Sequence, residues 1–171
     1  KFSKIKHQKA KNDAQKSKVF GKLVRFITVE AKKAGGNLKS PGLALAIEKA
    51  KKENMPNDTI DRAVKKATTD NSSAMENILY ETYGPGGIAM LIEVLTDNRN
   101  KAAQEIKHIL SKNGTELAAV GSATWAFTKT HEGWKANSTM PLEDADIQTL
   151  EALVEELEEN DEVQDVFTNA E

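Results

Sequence analysis

Ile78-Leu79-Tyr80-Glu81-Thr82-Tyr83-Gly84-Pro85-Gly86-Gly87-Ile88-Ala89-Met90-Leu91-Ile92-Glu93-Val94-Leu95 is the stretch that decides how this chain folds. Residues 78–83 alternate in polarity, as a strand does when it sends successive side chains to opposite faces. Gly84-Pro85-Gly86-Gly87 is turn chemistry, since glycine and proline supply backbone angles that other residues resist. Residues 88–95 are almost wholly apolar and read as a largely buried strand. A hairpin turn is the expected role of the glycines. They do not form a phosphate-binding loop, because no Gly-Lys-Ser/Thr follows them.

Upstream of this hairpin the period is helical. Asp13 is a plausible cap for a helix running to about Ala34, with Val19, Leu23, Phe26 and Ile27 at helical spacing and Gly35-Gly36 as the stop. Ser40-Pro41 opens a second helix, whose apolar face is Leu43, Ile47 and Ala50, ending near Asn54. Met55-Pro56 opens a third, with Ile60, Ala63, Val64 and Ala67 inward. Residues 1–12 carry lysines with only Phe2 and Ile5 as large apolar residues, so they read as an exposed arm.

Downstream, Asp97 or Asn98 caps a helix through about Lys112, ended by Asn113-Gly114, with Ala102, Ile106, Ile109 and Leu110 buried. Residues 123–128 read as a third strand. Residues 130–135 read as a short polar connection with an exposed Trp134. Pro141 leads into a very acidic helix with Ile147, Leu150, Leu153, Val154 and Leu157 inward, and residues 163–167 read as a last strand. The expected fold is therefore α+β. A basic arm and three-helix domain fills residues 1–72, and an α+β sandwich in β-β-α-β-α-β order fills residues 73–171, with helices on one face of the sheet. The last helix and strand are expected to pack back onto that sheet, being too small to fold alone.

Charge is split along the chain. Residues 1–66 hold 18 Lys+Arg against 6 Asp+Glu, and residues 67–171 hold 6 against 20. An excess spread over a whole domain points to a polyanion partner. The candidate phosphate contacts are Lys4, Lys6, His7, Lys9, Lys11, Lys16, Lys18, Lys22 and Arg25. Lys11, Lys18, Lys22 and Arg25 share one helical face, and the only acids before Lys33 are Asp13 and Glu30. Little in this helix is placed to pair with base edges, so backbone and shape recognition is expected, which suits structured RNA as well as DNA. Arg99 and Lys101 lie at a helix N-terminus, which is a natural anion site. Simple capping by Asn98 with ordinary surface charge accounts for the same residues.

Other chemistries have little support. With no cysteine, disulfides and thiolate metal sites are excluded. His7, His108 and His131 lack ligand spacing, so no metal, cofactor or catalytic residue is expected. Glu155, Glu156, Glu158 and Glu159 read as a solvated helix face. No apolar run is long enough for a membrane span.

Several ordered motifs resemble the YebC family, which includes the mitochondrial translational activator of cytochrome oxidase. They are Lys4-Ile5-Lys6-His7 with Lys9, Lys11 to Ala14, Lys18 to Arg25, Gly35-Gly36, Asn54-Met55-Pro56, Asp58-Thr59-Ile60 and Arg62-Ala63. The most specific are residues 80–87 and Asp97-Asn98-Arg99-Asn100, and residues 161–170 resemble the family's C-terminal end. The resemblance implies a basic three-helix domain, a second α+β domain, and a third domain inserted in the second. Here the sequence passes from Phe127 to Leu142 in a few residues, so the insertion point near 129–141 is expected to be empty. The implied function is non-enzymatic: a ribosome- or RNA-associated translational activator contacting rRNA or tRNA, or a transcriptional regulator binding duplex DNA. A protein–protein adaptor using the acidic helix is the further alternative. No membrane or small-molecule partner is expected, and a monomer is the expected state. The expected location is a bacterial cytoplasm, or the mitochondrial matrix if a presequence has been removed.

Overall fold

A computed structural model describes residues 13–69, 75–130 and 133–171, with side chains from residue 18 onward. The described residues divide into two compact units, the first ending at Met75 and the second running Glu76–Glu171. The arm expected at residues 1–12 lies outside the described residues.

The first unit is helical. Helix α1 spans Asp13–Ala34, α2 Pro41–Lys52 and α3 Asn57–Thr69. Its core is Ile27 and Ala31 of α1, Leu43, Ala46 and Ala50 of α2, Met55, and Ile60, Ala63 and Ala67 of α3. These positions recur every three or four residues, which puts them on one face of each helix. Burying a side chain such as Ile27 or Leu43 contributes roughly 1.5–3 kcal/mol. Helix α1 stops where Gly35 and Gly36 adopt left-handed angles, and Gly36 N–H returns to the Ala31 carbonyl at 2.9 Å. Helix α2 ends in the same way around Asn54, at φ 64°, with Met55 N–H bonded to the Ala50 carbonyl. Met55 itself is buried, so the third helix starts after Pro56 and not at Met55.

The second unit is built on the hairpin. Strands β1 (Glu76–Tyr83) and β2 (Ala89–Thr96) pair antiparallel, and β5 (Val163–Thr168) pairs antiparallel with the other edge of β2. The last strand thus returns to the sheet as expected, with a register irregularity at Glu93/Val94. Ile88, Met90, Ile92 and Val94 face helices α4 (Arg99–Lys112) and α5 (Asp144–Glu159), which bring Ala102, Ile106, Ile109, Leu110, Leu150, Leu153, Val154 and Leu157. Both helices lie on this one face.

The opposite face holds a smaller core of Ala89, Leu91, Ala123, Ala126 and Phe127, with half-buried Leu79, Trp134, Ala136 and Phe167 around it. Here the structure corrects the expected strand order. Residues 124–126 form a single 3-10 turn, strand β3 is Phe127–Thr130, and it pairs with a further strand β4 (Gly133–Ala136). The two make a separate two-stranded sheet and do not extend the main one. The physical reason is that the backbone N–H groups of Gly121, Ala123 and Thr124 are tied to a side chain, which prevents ladder pairing there. Trp134 is also corrected: it is half-buried beneath the Lys129 ammonium, 5.2 Å from the ring centre, while the exposed tryptophan is Trp125.

Candidate nucleic-acid interface

Helix α1 presents its core side through Leu23, Ile27 and Ala31. At about 3.6 residues per turn, Lys18, Lys22 and Arg25 fall on the opposite side. Lys32 falls there too, because Lys18, Arg25 and Lys32 are seven residues apart, about two turns. Lys18 and Lys32 are exposed, while Lys22 and Arg25 are half-buried. Lys32 was absent from the sequence-derived set, although the seven-residue step that groups Lys11, Lys18 and Arg25 reaches it directly. Lys4, Lys6, His7, Lys9 and Lys11 lie outside the described residues, and so does the side chain of Lys16. Further basic side chains come from α2 and α3. Lys49 lies over the Phe26 ring at 5.4 Å, Lys52 pairs with Glu48 at 3.5 Å, and Arg62, Lys65 and Lys66 are exposed on α3. The positive surface therefore draws on all three helices of this unit.

The start of α4 has a different character. The Asn98 side chain accepts the Lys101 N–H at 3.1 Å, so Asn98 is the cap. Arg99 is paired with Glu76 at 2.9 Å, and the Lys101 ammonium lies 3.9 Å from both Glu105 and Glu162. Glu162 is buried, and its carboxylate accepts a hydrogen bond from the Thr96 hydroxyl. That hydroxyl in turn accepts the Asn98 N–H at 2.9 Å. The protein's own carboxylates thus stand where an incoming anion would be placed. Burial raises the Tyr80 hydroxyl pKa; Arg99 acts against that shift, and Glu162 and Glu76 add to it.

Sequence reasoning missed Glu81. It is buried on β1, and its carboxylate accepts backbone N–H bonds from Gly121 at 2.7 Å, Ala123 at 2.9 Å and Thr124 at 2.8 Å. Burial alone would raise its pKa, but the three N–H donors outweigh that and hold it below the ordinary glutamate value. Neighbouring motif residues hold the same loop. Thr82 donates to the Glu116 carbonyl at 2.6 Å, and the Tyr83 hydroxyl donates to the Ser122 carbonyl and accepts the Trp125 indole N–H at 3.1 Å. The available signal was an acid at an inward position of an alternating strand, which requires donors from elsewhere. The Gly84–Gly87 turn closes the hairpin, with Gly84 N–H bonded to the Ile88 carbonyl at 2.8 Å. A Cβ on Gly86 would meet Leu142 at 2.5 Å, so this backbone is covered by protein there.

His108 is exposed on α4. Among the described residues, no group of three or more His, Asp or Glu is arranged to hold a metal ion. No described helix is long and apolar enough to cross a membrane. On α5, Glu155 and Glu159 are exposed, while Glu156 is half-buried and paired with Lys112 at 3.5 Å.

Models of the TACO1/YebC protein N-terminal domain and of the TACO1/YebC second and third domain match residues 1–70 and 75–132. A probable transcriptional regulatory protein of Fervidobacterium nodosum is 46% identical over 168 residues, covering 95% of this chain and 66% of that protein. One of the same description from Petrotoga mobilis is 42% identical over 176 residues, covering 98% and 68%. The chain spans about two thirds of the length of these curated relatives. The crystal structure of a conserved hypothetical protein from Aquifex aeolicus matches with a TM-score of 0.83 at 31% identity, covering 98% of this chain and 95% of that one.

Proposed function

Because the chain belongs to the TACO1/YebC family, we propose that it is a nucleic-acid-binding, non-catalytic regulator of gene expression that grips phosphate through its N-terminal basic unit. The observation that carries this reading is the stripe of Lys18, Lys22, Arg25 and Lys32 along the side of α1 away from its core. Ammonium and guanidinium groups in such a row displace condensed counterions from a polyanion. Lys4, Lys6, His7, Lys9, Lys11 and Lys16 extend the same charge toward the N-terminus. Arg99 faces the Glu76 carboxylate, and Lys101 faces those of Glu105 and Glu162.

The finer reading is translational. The stripe holds four cations and no Asn or Gln, so it suits phosphate and shape more than base edges. Structured RNA, such as rRNA or tRNA on the ribosome, is the partner that fits this chemistry. The second reading, a regulator bound to duplex DNA, is favoured by the description of the relatives as probable transcriptional regulatory proteins. The deciding experiment measures affinity of the full chain for ribosomes, folded RNA and duplex DNA across a salt series. Tighter binding to ribosomes or folded RNA at matched salt supports the translational reading, and tighter binding to duplex DNA replaces it. No binding to any of the three at low salt refutes both.

A further inference from the structure

We propose that the outer side of α4 is a base-reading surface, on which Gln104, Lys107, His108 and Ser111 contact base edges of a bound nucleic acid. The inference rests on the nucleic-acid reading above and adds to it a contact that tells one sequence from another. The four positions follow each other at steps of three, one and three residues, so they form one stripe along the helix. Asn100 continues the stripe by a further turn toward the helix start. All five residues are exposed. They lie opposite Ala102, Ile106, Ile109 and Leu110, which are buried against the sheet. The helix is also held at both ends. Asn98 caps its start, and beyond its end Thr115 N–H bonds to the Leu110 carbonyl at 2.9 Å. Side chains presented from a fixed helix are set for recognition before a ligand arrives.

Charge names the partner. Residues 76–171 carry 6 Lys+Arg against 19 Asp+Glu. Four of those six, Arg99, Lys101, Lys107 and Lys112, are on α4, whose only acid is Glu105. The flank of α4 toward α5 is neutralised by its own contacts: Glu105 accepts from the Asn160 side chain at 2.9 Å, and Lys112 pairs with Glu156 at 3.5 Å. The outer stripe holds Lys107 and no carboxylate. Among the described residues, no side-chain hydrogen bond or ion pair engages Gln104, Lys107 or His108. The neighbouring α5 has seven acidic residues and no basic one. A polyanion is therefore repelled by α5 and admitted at the outer side of α4.

The residue types decide which part of the polyanion is contacted. The stripe on α1 holds cations alone, which suits phosphate. On α4 an amide, an imidazole and a hydroxyl accompany the lysine. An amide carries a donor beside an acceptor and so matches adenine N7 and N6, lysine matches guanine O6 and N7, and a serine hydroxyl can give or take a bond. Such a surface distinguishes bases, whereas a row of ammonium groups senses only charge. Duplex DNA presents base edges in a major groove wide enough for a helix. RNA presents them on unpaired bases, since its own major groove is too narrow to read.

The full chain is challenged with a pool of RNA hairpins carrying a randomised loop and with a pool of DNA duplexes carrying a randomised centre, and the bound sequences are read. Enrichment of particular bases is expected, and the pool that enriches identifies the source of the base edges. Gln104→Ala with His108→Ala is expected to lower discrimination between the enriched sequence and its scrambled form about tenfold, with an unchanged salt slope, because base contacts release no counterions. Both positions are exposed on a helix and alanine is the best helix former, so the variant keeps its fold. Binding to the pools without enrichment would overturn the proposal and leave the phosphate-gripping reading standing. Enrichment that the double variant retains in full would also overturn it, because base reading would then lie off α4. Failure of the unmodified chain to bind either pool at low salt would overturn both readings.

Discussion

Glu81 of β1 sits directly opposite Leu91 of β2, so a carboxylate shares the buried side of the sheet with an aliphatic side chain. An isolated charge there would be strongly unfavourable. It is tolerated because three backbone N–H groups of the 121–124 loop converge on it. The same bonds fix the loop that carries Trp125. One buried side chain therefore links the sheet's interior to the most exposed aromatic residue of the unit.

Glu81→Gln should destabilise the protein by about 3 kcal/mol, since hydrogen bonds to a charged acceptor contribute roughly 1.5–3 kcal/mol each and do not add fully. The amide also turns an N–H toward donors it cannot pair with. The pH dependence follows from the lowered pKa of Glu81. A depressed folded-state value makes the stabilisation fully present above the unfolded value and lost as pH falls through the folded one. The unmodified protein should therefore lose stability on acidification below about pH 4.5. Chemical denaturation from pH 7 to pH 3 checks this. A Glu81→Gln variant with the same acid dependence as the parent would show that other carboxylates dominate.

Gly86 and Gly87 both have positive φ, at 72° and 80°, but only Gly86 lies against another side chain. Alanine at 87 meets open space and should cost about 1 kcal/mol from backbone strain alone. Alanine at 86 must also displace Leu142 from the start of the α5 packing, and should cost about 2–4 kcal/mol. Thermal melts of the two variants, measured side by side, give the difference. Equal costs would mean that Leu142 moves aside freely.

At the start of α4, the cap should matter more to stability than the charges. Asn98→Ala removes the acceptor for Lys101 N–H and should cost about 1 kcal/mol. Arg99→Ala breaks an ion pair between two largely exposed side chains and should cost at most about 1 kcal/mol, less in high salt. If this turn serves only the fold, neither change should alter the salt slope of nucleic-acid binding. A shallower slope in Arg99→Ala would assign a phosphate contact to it.

The helices and the first hairpin were legible in the sequence because their signals are local. Gly35-Gly36, Ser40-Pro41 and the 84–87 turn mark ends through backbone angles that few other residues accept. The inward stripes of α2, α4 and α5 follow from their spacing. The β3–β4 hairpin was not legible. Residues 123–126 have strand-like composition, and what removes them from a ladder is Glu81, more than 40 residues away in sequence. Trp134 was misplaced for a related reason. Its polar neighbours suggest exposure, whereas its burial depends on Phe127, Phe167 and the sheet face beneath. At the candidate interface, the basic stripe was readable from periodicity. Of the carboxylates facing Arg99 and Lys101, Glu105 follows from the four-residue spacing along α4, whereas Glu76 of β1 and Glu162 of the turn before β5 are not revealed by spacing along one helix.

The functional reading stands on where binding free energy is located. Lys18→Ala, Lys22→Ala and Arg25→Ala together should leave α1 intact, because alanine is the best helix former and none of the three belongs to the Leu23, Ile27, Ala31 side. Binding should weaken to a similar degree on unrelated sequences, since phosphate contacts carry no sequence information. If each side chain neutralises one phosphate, the slope of log affinity against log salt should fall by about 0.7 to 0.9 per residue removed, the lower value applying to single strands. Adding Lys32→Ala should lower it by one further step of the same size, because Lys32 lies on the same side of the helix. Glu155→Gln with Glu159→Gln is the control: both side chains are exposed on α5, and losing negative charge there should leave binding unchanged or slightly tighter. Circular dichroism on each variant separates lost contacts from lost helix. An unchanged slope in the triple variant, with its helix content retained, would move the phosphate-binding surface off α1, and the exposed Arg62, Lys65 and Lys66 of α3 would be the next residues to replace.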